Sequence, residues 1–231
     1  MSLDEKIEPM PQGSTRQRQL KSIPSLSSVT LINGSFVLAG RSSWFARNEE
    51  IHGEGEPATF LYKLVSGYVR TFKTLSDGRR RIEAFYIPGD AFGLDTRNSH
   101  NVTAQAITRS RIELIAKKSL MSRAATEIAV VNHLLALTRL ELRRANSHNL
   151  QLLKSAQERI VGFLLDMEER QGNSREIDLP MTRGDIADHL GLTTETVSRM
   201  LWKLESIAAI SIPKRRRIVL RNVPALRGFA G

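Results

Sequence analysis

The chain has 231 residues, 41% of them hydrophobic, and a formal net charge of +10, which gives it enough apolar material for sizeable cores and favours a polyanionic partner, DNA, RNA or an acidic membrane. It has no cysteine, and that excludes disulfides, thiolate metal sites and iron–sulfur clusters. No run approaches the roughly 18 apolar residues of a membrane-spanning helix, and the opening Met-Ser-Leu-Asp-Glu-Lys lacks the apolar centre of a secretion signal, so a cytoplasmic protein with no membrane partner is expected.

Residues 1–28, rich in Ser, Pro, Gln and Lys, read as a flexible N-terminal arm. Over 29–117 short β segments alternate with turns. Ala58–Val65 and Tyr68–Leu75 flank Ser66-Gly67, Arg80–Ile87 follows the hairpin signal Asp77-Gly78, and Val102–Thr108 and Arg111–Ala116 close the series. That spacing predicts a small antiparallel roll or barrel. The run Arg79-Arg80-Arg81 reads as a solvated hairpin edge.

Over 118–150 the period becomes helical. Met121, Ala124, Ile128, Val131, Leu135, Thr138, Leu142 and Ala145 recur at steps of three and four with no intervening Gly or Pro. This predicts a long helix that pairs with its twin in a homodimer, with Leu134, Leu137 and Leu140 widening the stripe enough to pack on the roll as well.

Residues 151–231 hold a further amphipathic helix (Ser155–Met167), a short β segment (Glu176–Leu179) stopped by Pro180, and then a helix-turn-helix. Thr182 is the expected N-cap, with Asp185 in the first turn. Ile186 and Leu190 line one face, and Gly191 supplies the positive φ of a tight turn. A second helix starts at Thr193 or Thr194 and packs through Val197, Met200, Leu201 and Leu204, leaving Glu195, Ser198 and Arg199 facing out. Arginine matches guanine O6/N7 and glutamate accepts from cytosine N4, so this face is suited to reading double-stranded DNA. A plain helical hairpin needs the glycine and the apolar spacing but not that outer trio. Beyond it, Lys214, Arg215, Arg216 and Arg217 form a basic tip between two short strands, a wing suited to phosphates. The basic charge is local here: residues 155–231 hold 12 Lys and Arg against 10 Asp and Glu.

Roll, long helix and winged helix-turn-helix in that order, with Thr-Arg-Gly-Asp-Ile-Ala-Asp-His-Leu-Gly-Leu-Thr-Thr-Glu-Thr-Val-Ser-Arg at 182–199, resemble the CRP/FNR superfamily of bacterial transcription regulators over about residues 29–222. Gly-Glu-Pro-Ala at 55–58, Gly67 and Pro-Gly-Asp-Ala-Phe-Gly-Leu-Asp at 88–95 look closest to its FixK-type branch, which controls microaerobic respiration and nitrogen-fixation genes. The resemblance implies an α+β chain: an antiparallel β-roll of the cyclic-nucleotide-binding jelly-roll kind, a dimerisation helix and a winged helix-turn-helix. It assigns base contacts to Thr194, Glu195, Ser198 and Arg199, and phosphate contacts to Arg183, Thr193 and Thr196. It further implies a TTGA-type inverted repeat as operator and RNA polymerase as a partner of an activator.

The departures from the family pattern matter as much. Leu94 stands where nucleotide-binding members carry the ribose-binding Glu, and His100-Asn101 stand where they carry the phosphate-binding Arg-Ser or Arg-Thr. A buried cyclic phosphate without its guanidinium would be costly. The five histidines, His52, His100, His133, His148 and His189, show no ligand spacing. No cofactor, no metal and no effector are therefore expected, with an unforeseen ligand in the roll as the alternative. No phosphate loop, nucleophile elbow or metal cluster supports an enzyme.

Overall fold

Short apolar runs cut by Gly, Pro and Asp turns fold into paired antiparallel sheets, followed by helices that carry a second, smaller sheet. The computed structural model describes residues 30–32, 35–37, 40–95, 98–172 and 174–229; the arm expected over 1–28 lies outside them. A hairpin of β1 (Thr30–Ile32) and β2 (Ser35–Val37) comes first. One four-stranded sheet then has the order β3 (Arg41–Phe45), β10 (Ser110–Ala116), β5 (Phe60–Ser66), β8 (Ala91–Phe92); the other has β4 (Glu50–His52), β9 (Thr103–Ala106), β6 (Val69–Thr74), β7 (Arg80–Tyr86). Phe45, Tyr62, Leu64, Phe92 and Ile112 from the first meet Val69, Tyr86, Ala104 and Ala106 from the second in one buried cluster. Period-two alternation along each strand selects that inner face.

Gly67 takes the chain from one sheet to the other at φ 90°, and a Cβ there would run into the Ser110 hydroxyl and the Arg109 carbonyl. Only glycine meets both demands. The hairpin signalled by Asp77-Gly78 is present as β6–β7, with Thr74 paired to Arg80 across the loop 75–79.

The long helix expected over 118–150 is broken. α1 (Lys117–Ala124) ends, and α2 (Ile128–Gln151) restarts after an extended Glu127. Thr126 turns both its N–H and its hydroxyl to the Arg123 carbonyl (3.0 and 3.3 Å), which also takes the Glu127 N–H at 2.7 Å, so the end of α1 tightens onto this one acceptor. Glu127 reaches back to Arg123 through two bonds of 2.9 and 2.7 Å. Ala124 thus rests with Leu134 and Leu137 against the roll's Leu61, Ala91 and Ile115. Ile128, Leu135 and Leu142 point outward along α2.

Ser155 caps α3 (Ala156–Arg170) in a reciprocal box with Glu158. β11 (Glu176–Asp178), α4 (Arg183–Leu190), α5 (Thr194–Ser206), β12 (Ile210–Lys214) and β13 (Arg217–Leu220) complete a winged helical domain, its sheet ordered β11-β13-β12. A last helix not foreseen from sequence, α6 (Val223–Phe229), starts where the Asn222 side chain accepts from the Ala225 N–H, with Pro224 in its first turn.

The core of this domain (Ile160, Leu164, Met167, Ile186, Leu190, Val197, Leu201, Leu204) runs without interruption into Ile82, Phe85, Ile87 and Ile107 of the roll. Each such side chain contributes about 1.5–3 kcal/mol on burial, so the two domains are docked rather than merely tethered. Arg159 pins the joint between them. Its guanidinium donates to the carbonyls of Leu152 (2.6 Å) and Lys154 (2.8 Å) after α2, and of Leu190 (3.0 Å) at the end of α4. Among the described residues no helix is long and apolar enough to cross a membrane.

Candidate nucleic-acid interface

The helix-turn-helix is set by local rules. Thr182 accepts from the Asp185 N–H and Asp185 accepts from the Thr182 N–H, each at 3.0 Å. This closed box satisfies two amides that the helix leaves without partners. Gly191 ends α4 at φ 63°. Thr193 caps α5 by accepting from the Thr196 N–H at 3.1 Å, and the two threonine hydroxyls lie 2.9 Å apart.

On α5 the sides separate cleanly. Val197, Leu201 and Leu204 are buried, Thr194, Glu195 and Arg199 are exposed, and Ser198 is half-buried beside them. The structure therefore brings the four residues expected at bases to one outward face. Arg183 and Thr193 are exposed near it, at the starts of α4 and α5, and Thr196 is half-buried next to its cap partner.

At the wing, one residue has partners that the sequence did not signal. Lys214, Arg215 and Arg216 are exposed at the β12–β13 turn. Arg217 instead engages Glu176 (2.8 Å) and Asp178 (3.3 Å), because the β11–β13 register sets it beside that strand. Those carboxylates, Glu176 first, raise its pKa.

Sequence reasoning missed how the roll grips this motif. Asp185, its side chain only 2% exposed, accepts from Arg70 at 2.8 Å and from Arg80 at 2.6 Å, and Asp188 accepts from Arg80 at 3.0 Å. Arg80, read as part of a solvated run, is thus an interdomain clamp that also lies over the Phe72 ring. Arg79 pairs with Asp77 at the loop. A second tie runs through Asp90, which accepts from Arg144 of α2 (2.6 Å) and Arg170 of α3 (2.8 Å).

His189, on the last turn of α4, stacks on His148 of α2 at 4.3 Å, lies edge-on to Phe85, and contacts the Ile82 carbonyl at 3.2 Å. Desolvation, with His148 adding, lowers its pKa to about 3. It is a neutral packing residue of the domain joint.

Where the family pattern would hold a cyclic nucleotide, the residues do not fit one. Leu94 packs toward the roll cluster, and the His100 ring is fully buried and held by Asp95 at 2.7 Å. A cleft of about 860 Å³ does open between roll, α2 and α3, but Arg144 and Arg170 on its wall are engaged by Asp90. Among the described residues no group of three His, Cys, Asp or Glu could hold a metal ion.

Comparison with known proteins agrees with this geometry. Residues 158–229 match the Crp-like helix-turn-helix domain, and residues 43–127 match the cyclic nucleotide-binding domain. The chain is 45% identical over 194 residues to the nitrogen fixation regulation protein FixK of Azorhizobium caulinodans, covering 81% of this chain and 78% of that one. It is 38% identical over 181 residues to FixK of Rhizobium meliloti, covering 78% and 82%. The solved structure of FixK2 from Bradyrhizobium japonicum superposes with a TM-score of 0.81 at 43% identity, over 84% of this chain and 98% of that one. With roll, helix and reading head in the same order and these relatives spanning most of its length, the chain belongs to the FixK-type branch of the CRP/FNR superfamily and is a transcription regulator, not an enzyme.

Proposed function

We propose that this regulator works in the cytoplasm as a homodimeric activator of nitrogen-fixation genes, reading a TTGA-type inverted repeat without a small-molecule effector. The observation that carries the reading is the outward face of α5, where Glu195 and Arg199 stand exposed opposite a fully packed apolar side. An acid held on a surface that meets phosphates is tolerable only when it contacts a base, and Glu–cytosine with Arg–guanine supplies that contact. Arg183, Thr193, Thr196 and the tip cations Lys214, Arg215 and Arg216 would hold the flanking phosphates. Outward Ile128, Leu135 and Leu142, with Val131 and Thr138 in the same stripe, support pairing of two α2 helices. Such a pair would set two α5 helices about one DNA turn, roughly 34 Å, apart. The roll is left to offer RNA polymerase a surface.

Effector independence is supported by the Asp90 and Asp185 clamps, which already fix the winged domain on the roll. A second reading, gating by a ligand in the cleft, is favoured by both ring nitrogens of His148 and the Nε of Arg170, which have no partner there. Operator affinity of ligand-free protein, measured alone and with crude cell extract, separates the two, and millimolar cyclic AMP or cyclic GMP tests the nucleotide case directly. Tight binding without additive is expected. A tenfold tightening by the extract or by either nucleotide, about 1.4 kcal/mol, would overturn effector independence.

A further inference from the structure

Trp202 is 68% exposed on α5. Its position in the helical repeat is the informative part: residues 195, 199 and 202 stand at i, i+4 and i+7, so Trp202 lies in line with Glu195 and Arg199 and one turn beyond Ser198. Val197, Leu201 and Leu204 lock the helix rotation from the other side, so the indole cannot be turned inward. The charged residues around it are engaged elsewhere. Lys203 donates to Gln157 at 3.0 Å, and Glu205 accepts from the Ile212 N–H of the wing at 2.9 Å. Along the helix axis Trp202 sits about 10 Å from Glu195. At 3.4 Å per base step that is about three base pairs.

An indole brings a broad apolar face and one N–H donor, with no charge and no acceptor. In the major groove the apolar feature available to such a face is the C5-methyl of thymine. We propose that Trp202 is a specificity-determining residue that packs on a thymine methyl beyond the bases reached by Glu195 and Arg199, lengthening each half-site. This rests on the assignment of α5 as the reading helix.

The test uses the full chain and an inverted TTGA operator in which each thymine of the half-site and its inner and outer flanks is replaced, one at a time, by deoxyuridine, removing only the methyl. Binding is measured for wild type, Trp202→Ala and Trp202→Phe, with thermal melts to show that the exposed substitutions leave the fold intact. One thymine should emerge whose methyl strengthens wild-type binding about three- to tenfold, has no effect on Trp202→Ala, and still acts in Trp202→Phe. In a Trp44→Phe background, which leaves Trp202 as the only indole, the emission should change when the operator binds. Unchanged emission, or no thymine whose methyl effect depends on Trp202, would overturn the inference. Equal weakening of all operators by Trp202→Ala would also overturn it, marking a sugar or phosphate contact. If wild type discriminates operators and Arg199→Ala loses discrimination at one guanine while Trp202→Ala matches wild type, this inference alone falls. If wild type binds no inverted repeat, it falls together with the reading of α5.

Discussion

The two helices of the helix-turn-helix treat their charges in opposite ways. On α4, Asp185 and Asp188 are neutralised from inside the molecule by Arg70 and Arg80 of the roll. On α5, Glu195 and Arg199 face solvent. The same kinds of residue, one turn-connected unit apart, hold the molecule together in one helix and await an outside partner in the other. Exposure, not charge itself, separates the clamp from the reading face.

Breaking the clamp should have the largest effect. Asp185→Ala removes a helix cap and leaves the buried Arg70 guanidinium short of its carboxylate, so a loss of about 3–5 kcal/mol is expected in denaturant melts. Asp188→Ala, more exposed and bonded only to Arg80, should cost far less. An equal loss from the two variants would show that solvent already reaches Arg70.

The reading face gives the mirror result. Arg199→Ala should leave the melt unchanged and cost about 1–3 kcal/mol per half-site, concentrated at one guanine. Titration against single-base operator variants checks this, and a uniform loss would reduce Arg199 to a phosphate contact.

The smallest expected effect is on pH. His189, faced by His148 from α2, Arg81 from β7 and Arg170 from α3, has a folded-state pKa lowered from 6.5 to about 3. The docked joint is then at full strength above pH 6.5 and weakens as pH falls from there toward 3. By linkage the cost by pH 5 is at most about 2 kcal/mol. Hydrogen-exchange protection at α4, corrected for the intrinsic pH dependence of amide exchange, should fall between pH 7.5 and 5 in wild type and less so in His189→Gln; equal slopes would remove His189 from the joint.

The reading head was legible because its constraints are local. Thr182, Asp185, Gly191 and the spacing of Val197, Leu201 and Leu204 lie within one short stretch and obey capping and periodicity rules. The clamp was not, because Arg70 and Asp185 are 115 positions apart and nothing near either names the other. The partners of Arg217 were hidden for the same reason, its acids arriving from β11. The break at 125–127 was hidden because the apolar stripe runs straight across it, while Thr126 and Glu127 act through bonds that periodicity does not register. β3 and β4 escaped because a strand such as Arg41–Phe45 (Arg-Ser-Ser-Trp-Phe) and a three-residue one such as Glu50–His52 carry too little alternation. α6 did leave a signal, Asn222 with Pro224, that composition alone passes over.

Arg159 turns this joint into a linkage without slack. A planar fork with five N–H donors can hold several carbonyls at fixed angles at once, whereas a lysine would offer a single flexible point. Because the carbonyls it holds belong to the end of α2 and the end of α4, it fixes the direction in which the long helix enters the helix-turn-helix. In the dimer proposed above, the spacing of the two heads would then be governed by the helix pair and not by the length of the connecting loop.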